Sequence, residues 1–128
     1  MPARFFVSKE HRLVVSIGWG RLTFADFRNQ QDSYLNDPDF DPSFDQLVDG
    51  TQVTSLDISV EEAKTIARRA IFLPTSRRAV VATDPLVFGM GRMMDTYHAL
   101  ATGREQVGVF RDRESAMKWL GREKLPEW

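Results

Sequence analysis

Apolar residues near the start of the chain fall at every second position. In "RLVVSIGW", Leu13, Val15, Ile17 and Trp19 alternate onto one face, the period of a half-buried strand, and "RFFVS" before it reads as a shorter strand. The period then becomes helical. Thr23, with Asp26 three positions on, has the pattern of a capping box, and Phe24, Phe27, Gln31 and Tyr34 follow at helix spacing. Two prolines in "NDPDFDPSF" forbid continuation of that helix.

"FDQLVD" predicts a third strand, followed by "GTQVTSLDIS", a turn dense in small polar residues. Ser59 and Glu62 then form a capping box, and Val60, Ala63, Ile66, Ala67, Ala70 and Ile71 make one inward stripe ahead of Pro74. "RRAVVAT" is a fourth strand whose unbroken apolar centre suggests burial on both faces. Asp84 caps a long helix with Pro85 at its first position, running to about Thr102, with Leu86, Met90, Met93, Met94, Tyr97, Leu100 and Ala101 as its stripe. "EQVGVF" gives a fifth strand. Asp112 caps the last helix, Ala116, Trp119 and Leu120 face inward, and Gly121 supplies its stop.

The order β-β-α-β-α-β-α-β-α implies one α/β domain: a mixed, mostly parallel sheet of about five strands wrapped by four helices, with the first strand as an antiparallel edge. Its 128 residues suffice for a real core, and 42% hydrophobic with 27% charged residues is ordinary globular composition. No apolar run reaches the roughly 18 residues of a membrane span, and no charged-then-apolar leader opens the chain, so a cytoplasmic protein is expected. The absence of cysteine removes disulfides and thiol chemistry. A formal net charge of −1 gives no basic field for nucleic acid. Charge is nonetheless uneven: residues 26–62 carry ten acids against the base Arg28, and residues 63–128 carry twelve bases to seven acids. Such a split suits self-association or internal pairing.

The element order, together with "RLVVSIGWGRLTFADF", "FDQLVDGTQVTSLDIS" and "VFRDRESAMKWLG", resembles the SpoIIAA-like branch of the STAS superfamily over about Arg4 to Gly121. The resemblance implies non-enzymatic roles: anti-sigma-factor antagonism, partner regulation, and in this branch association with membranes or apolar ligands. Antagonists of the superfamily carry a pattern like "DLSGVTFIDSSG", in which the serine after the second Asp is phosphorylated. Here the first Asp matches Asp49, Val matches Val53, Thr matches Thr54 and the second Asp matches Asp57. The serine position falls on Ile58, which has no hydroxyl. Ser59 lies one residue late, and its expected role is a helix cap.

Other candidate sites read as structural. Ligands of parallel α/β sheets gather beyond the carboxyl ends of the strands, here Thr51, Asp57, Ile58, Ser59, residues 83–88 and residues 110–113, but the helix starts there already own the caps Ser59, Asp84 and Asp112. "FGMGR" lacks the third glycine of a nucleotide loop; Gly89 and Gly91 lie inside a helix, where something must compensate their cost. "DPDFDP" lacks the Gly and terminal Glu of a calcium loop, and His11 and His98 belong to no ligand-spaced pair, so no metal or cofactor is expected. Phe72 and Phe88 fall off the apolar stripes of their helices, which places them on the surface. The reading is therefore a non-catalytic binding or regulatory module. It engages an apolar ligand, a membrane surface or a protein partner through Phe72, Phe88, Met90, Met93, Met94 and Tyr97, with homodimerisation by the same surface. The alternative is a signalling antagonist phosphorylated at Ser59 beside Asp57. An enzyme using Asp49 and Asp57 ranks last, because no acid/base partner is identifiable.

Overall fold

The structure is a computed structural model that describes residues 2–69, 71–103 and 106–123. Its elements are β1 (Ala3–Ser8), β2 (Leu13–Thr23), α1 (Phe24–Leu35), β3 (Asp45–Asp57), α2 (Val60–Arg68), β4 (Arg78–Ala82), α3 (Pro85–Thr102), β5 (Val107–Phe110) and α4 (Arg113–Leu120). The strands form one sheet in the order β1-β2-β3-β4-β5, antiparallel between β1 and β2 and parallel elsewhere. Each parallel strand adds to the same side of the last, so crossovers of one hand place α1, α2 and α3 on one face and leave α4 for the other.

Local chemistry sets the helix starts. Thr23 with Asp26 and Ser59 with Glu62 form complete capping boxes; Asp84 accepts from the amides of Leu86 and Val87, and Asp112 from that of Ser115. Gly103 and Gly121 end α3 and α4 with positive φ, a conformation that costs glycine nothing.

The α4 face of the sheet is tightly filled: Leu13, Val15, Leu47, Ala79 and Val81 are 0% exposed beneath Ala116 and Leu120. On the other face the core splits in two. Val7, Val14, Tyr34, Phe44, Ile71 and Phe72 pack at one end, and Leu22, Val53, Ala82 and Val87 at the other.

Three expectations need correction. First, "GTQVTSLD" is strand rather than turn: β2 and β3 pair onward to Thr23 and Asp57, past the last β3–β4 pair at Gly50 and Ala82. This overhang bends at two register shifts, one at Gly20, which sits at φ +64°. Second, α2 stops at Arg68 because Arg69 is already extended, and the chain turns to the loop before β3, where the Leu73 amide donates to the Pro42 carbonyl at 2.8 Å. Phe72 therefore leaves the helical wheel and is buried at 9% exposure, whereas Val60, expected inside, is 50% exposed. Ala70 of the expected stripe lies outside the described residues. Third, α3 is rotated from its expected face. Val87, Gly91, Met94 and His98 face the sheet side, while Leu86 and Leu100 stand 81% and 79% exposed.

Candidate functional site

Side chains alternate across a strand, so Val48 and Val80, in the central β3 and β4, project opposite to Leu47 and Val81. Beneath three helices they should be sealed. Both remain partly exposed, while Leu47 and Val81 are at 0%. A cavity of about 160 Å³ lies over them, between the sheet and α1, α2 and α3. Small residues hold it open: Gly18 of β2, Gly50 of β3, Gly91 of α3 and Ala67 of α2 all line it. Gly91 also explains its own place in a helix, since a Cβ there would lie 3.3 Å from Val109 Cγ1.

The wall has two chemical ends. Toward the strand overhang it is apolar: Leu22, Val53, Leu56, Phe27 and Val87. At the amino ends of β3 and β4 it is polar, with Gln46, Arg78, Tyr34, Gln31 and His98. Gln46 and Arg78 are register partners, adjacent on one face. Gln46 Nε2 donates to Ser16 Oγ at 3.0 Å and reaches Tyr34 Oη at 3.5 Å. Gln31 Oε1 accepts from Arg69 Nη1 at 2.9 Å, and Arg69 Nη2 pairs with Asp32 at 2.7 Å, tying the end of α2 to α1. His98 Nδ1 lies 3.1 Å from the Ala67 carbonyl oxygen and 3.2 Å from Arg78 Nη2, and its Nε2 lies 3.4 Å from the same Nη2.

Arg78 is the unusual member. Its guanidinium stands 5.3 Å from the Phe72 ring centroid, and its Nε is buried with no hydrogen-bond partner. None of the ion pairs among the described residues includes it. Burial pulls the Arg78 pKa below the ordinary arginine range, with Tyr34 and Asp95 opposing. Burial likewise pushes the Tyr34 phenol up, against the Gln46 hydrogen bond and the positive charges of Arg78 and Arg69, which leaves it protonated and a donor near neutrality.

Of the residues expected to form a surface, only Met94 lines this cavity. Phe72 is in the core, edge-on to Phe40 at 5.5 Å, which corrects its surface assignment. Phe88 is half-buried against the Leu22–Val53 cluster, and the Arg111 guanidinium lies 4.3 Å from its ring centroid. Met90, Met93 and Tyr97 are partly exposed on α3, with the Lys64 ammonium 5.5 Å from the Tyr97 ring centroid. Ser59 is exposed; its Oγ accepts from the Glu62 amide at 3.1 Å and Glu62 returns to the Ser59 amide at 2.9 Å, while Asp57 pairs with Arg21. Asp49 and Asp57 are eight residues apart on one strand, roughly 26 Å, too far to share an acid/base step. Asp49 accepts from the Thr51 amide at 3.0 Å and hydroxyl at 2.7 Å and faces Arg113 at 3.4 Å. Among the described residues no group of three or more His, Asp or Glu is placed to hold a metal ion, and no helix is long and apolar enough to cross a membrane.

Sequence reasoning missed Arg78, Gln46 and His98. The available signal was polarity at inward strand positions: Gln46 precedes Val48, and Arg78 precedes Val80 and Ala82, on the face that helices cover.

The architecture is that of an α/β domain with a mixed five-stranded sheet, three helices on one face and one on the other. It is a SpoIIAA-like fold. The chain superposes on an uncharacterised protein of the DUF3478 family with a SpoIIAA-like fold from Shewanella loihica PV-4, with a TM-score of 0.56 and 20% identity, covering 92% of this chain and 93% of that one. No family model and no curated protein matches the sequence.

Proposed function

We propose that this chain is a non-catalytic binding module that takes a small, largely apolar molecule into the cavity between the sheet and α1–α3. The observation that carries this reading is the partial exposure of Val48 and Val80 at the centre of a helix-covered sheet face, where a purely structural domain gains by sealing them. Interiors pack densely, and a void forfeits dispersion contacts on all sides, so an empty cavity is a cost that a ligand repays. A cavity near 150 Å³ with apolar walls already accepts a molecule of benzene size, and this one is open at the surface, so a longer chain can extend beyond it. The test is gentle native mass spectrometry and organic extraction of the purified protein, beside the variant Val80→Trp, which occupies the void. A small molecule carried by the wild type and lost in Val80→Trp supports the reading. An extract free of such a molecule, with no uptake of added apolar probes, removes it.

A second reading rests on α3. Among the described residues Leu86 and Leu100 are the two most exposed large hydrophobics, and Met90, Met93 and Tyr97 continue their line at helical spacing. We read this outer face as a contact surface for a second copy, a protein partner or a membrane. Light scattering and vesicle flotation of the wild type against Leu86→Lys/Leu100→Lys test it: a change in mass or flotation supports the surface, and a lipid-indifferent monomer in both forms ends it. A phosphorylation switch is less favoured, because Ser59 and Asp57 are committed to a helix cap and an ion pair.

A further inference from the structure

The polar end of the cavity offers donors without matching acceptors. Arg78 brings a positive charge and a buried Nε with no partner. Tyr34, 4% exposed, accepts from Gln46 Nε2, while its own hydroxyl proton goes to none of the described residues. His98 stands beside Arg78, with its Nδ1 3.2 Å and its Nε2 3.4 Å from Arg78 Nη2 and its Nδ1 3.1 Å from the Ala67 carbonyl oxygen. Of the acids on the same wall, Asp26 accepts from Thr23 in the α1 cap, and Asp95 attracts Arg78 without forming an ion pair with it. Buried donors are normally satisfied and a buried charge is normally paired. A vacancy of both kinds at one end of a cavity that is apolar at the other describes the complement of an amphiphile.

Resting on the cavity reading above, the geometry points to a single-chain carboxylate as the occupant. Its anionic head is held by Arg78 and the Tyr34 hydroxyl, and its alkyl or aryl tail lies along β4 toward Leu22, Val53 and Val87. Guanidinium and carboxylate match in planarity and charge, and a charge-assisted hydrogen bond is about twice as strong as a neutral one. From Arg78 to Ala82 is four strand steps, about 13 Å, which suits a medium-chain acid. The head lies at the amino ends of the strands, opposite to the edge where ligands of parallel sheets usually sit.

The experiment is isothermal titration of the full chain with decanoate, decanol and decylammonium, each below its critical micelle concentration, repeated for Tyr34→Phe, Arg78→Met and Val80→Trp. The expected result is decanoate binding at least about 10-fold tighter than decanol, with decylammonium weakest. Tyr34→Phe, which keeps the ring, should weaken decanoate several-fold and leave decanol unchanged; Arg78→Met should abolish the preference; Val80→Trp should remove binding of both. Equal affinity for acid and alcohol, or an ammonium preference, overturns the carboxylate assignment while leaving the cavity reading intact. A decanoate preference that survives Tyr34→Phe unchanged also overturns it, even if Arg78→Met fails to fold. If none of the three probes binds, the cavity reading has failed and the headgroup assignment fails with it.

Discussion

The guanidinium of Arg78 rests 5.3 Å from the centroid of the Phe72 ring, so a residue that closes the core also floors the charged end of the cavity. Phe72 packs in turn against Tyr34 at 6.1 Å and Phe40 at 5.5 Å, joining α1, the loop before β3 and the segment after α2. Phe72→Ala should cost about 3–5 kcal/mol of stability, as for a buried aromatic. Urea unfolding checks this. A loss under about 0.5 kcal/mol is the value for an exposed side chain and would restore Phe72 to the surface.

Val80 and Val81 are neighbours on β4 that meet opposite worlds. Val81 is sealed under α4 at 0% exposure, whereas Val80 faces the cavity. Enlarging each to Leu should separate them: Val81→Leu overpacks a filled core at about 1–3 kcal/mol, and Val80→Leu grows into open space with little or no loss. Paired thermal melts read the difference. Equal losses would mean that the two faces are equally filled.

What could be read along the chain was whatever depends on near neighbours. Ser59 with Glu62, and Asp84 with Pro85, announce helix starts because capping is settled within four residues, and all nine elements appear in the expected order. Misreadings arose where distant contacts decide. The Phe72 wheel assumed a helix that the bond from Leu73 to Pro42 draws away, and α3 is apolar around so much of its girth that its inward side is chosen by Gly91 approaching Val109, not by hydrophobicity. Thr51, Gln52, Thr54 and Ser55 hid the β2–β3 overhang because polar side chains on a two-stranded ribbon look like a turn. The cavity was the least legible feature. A void is a relation among Gly18, Gly50 and Gly91 on separate elements, and no stretch of sequence contains it.

Gly50 tests the closeness of two strands. A Cβ there would stand 2.8 Å from the Val81 carbonyl oxygen, a backbone atom that cannot swing aside. Gly50→Ala should therefore destabilise, by about 1–3 kcal/mol, despite alanine's ordinary advantage over glycine in chain entropy. Gly89 is the contrast, a helical glycine with open space at its Cβ, and Gly89→Ala should stabilise by about 0.5–1 kcal/mol. Opposite signs for the two substitutions in one denaturation series are the expected result.

Ser59 separates a cap from a switch. Ser59→Ala removes the acceptor for the Glu62 amide and should cost about 1 kcal/mol, whereas Ser59→Asp keeps an equally good cap and should stay near wild type. Chemical denaturation of the two variants decides the point, and a large structural change in Ser59→Asp would favour the switch.

Acid stability should depend on Asp112. Its carboxylate accepts from the Ser115 amide at 2.7 Å and the Ser115 hydroxyl at 3.0 Å, and these bonds hold its pKa below the ordinary carboxylate value in the folded chain. The unfolded chain then binds the proton more readily. The contribution is therefore fully present above a pH of about 4 and is lost as pH falls through the depressed folded value. Asp41, held low by Ser43, acts in the same direction. Asp112→Asn still offers an oxygen to the Ser115 amide but no longer titrates, so its melting temperature should fall less steeply than that of wild type between pH 4 and the acid transition. Parallel acid limbs for the two proteins would show that the α4 cap gains nothing from its charge.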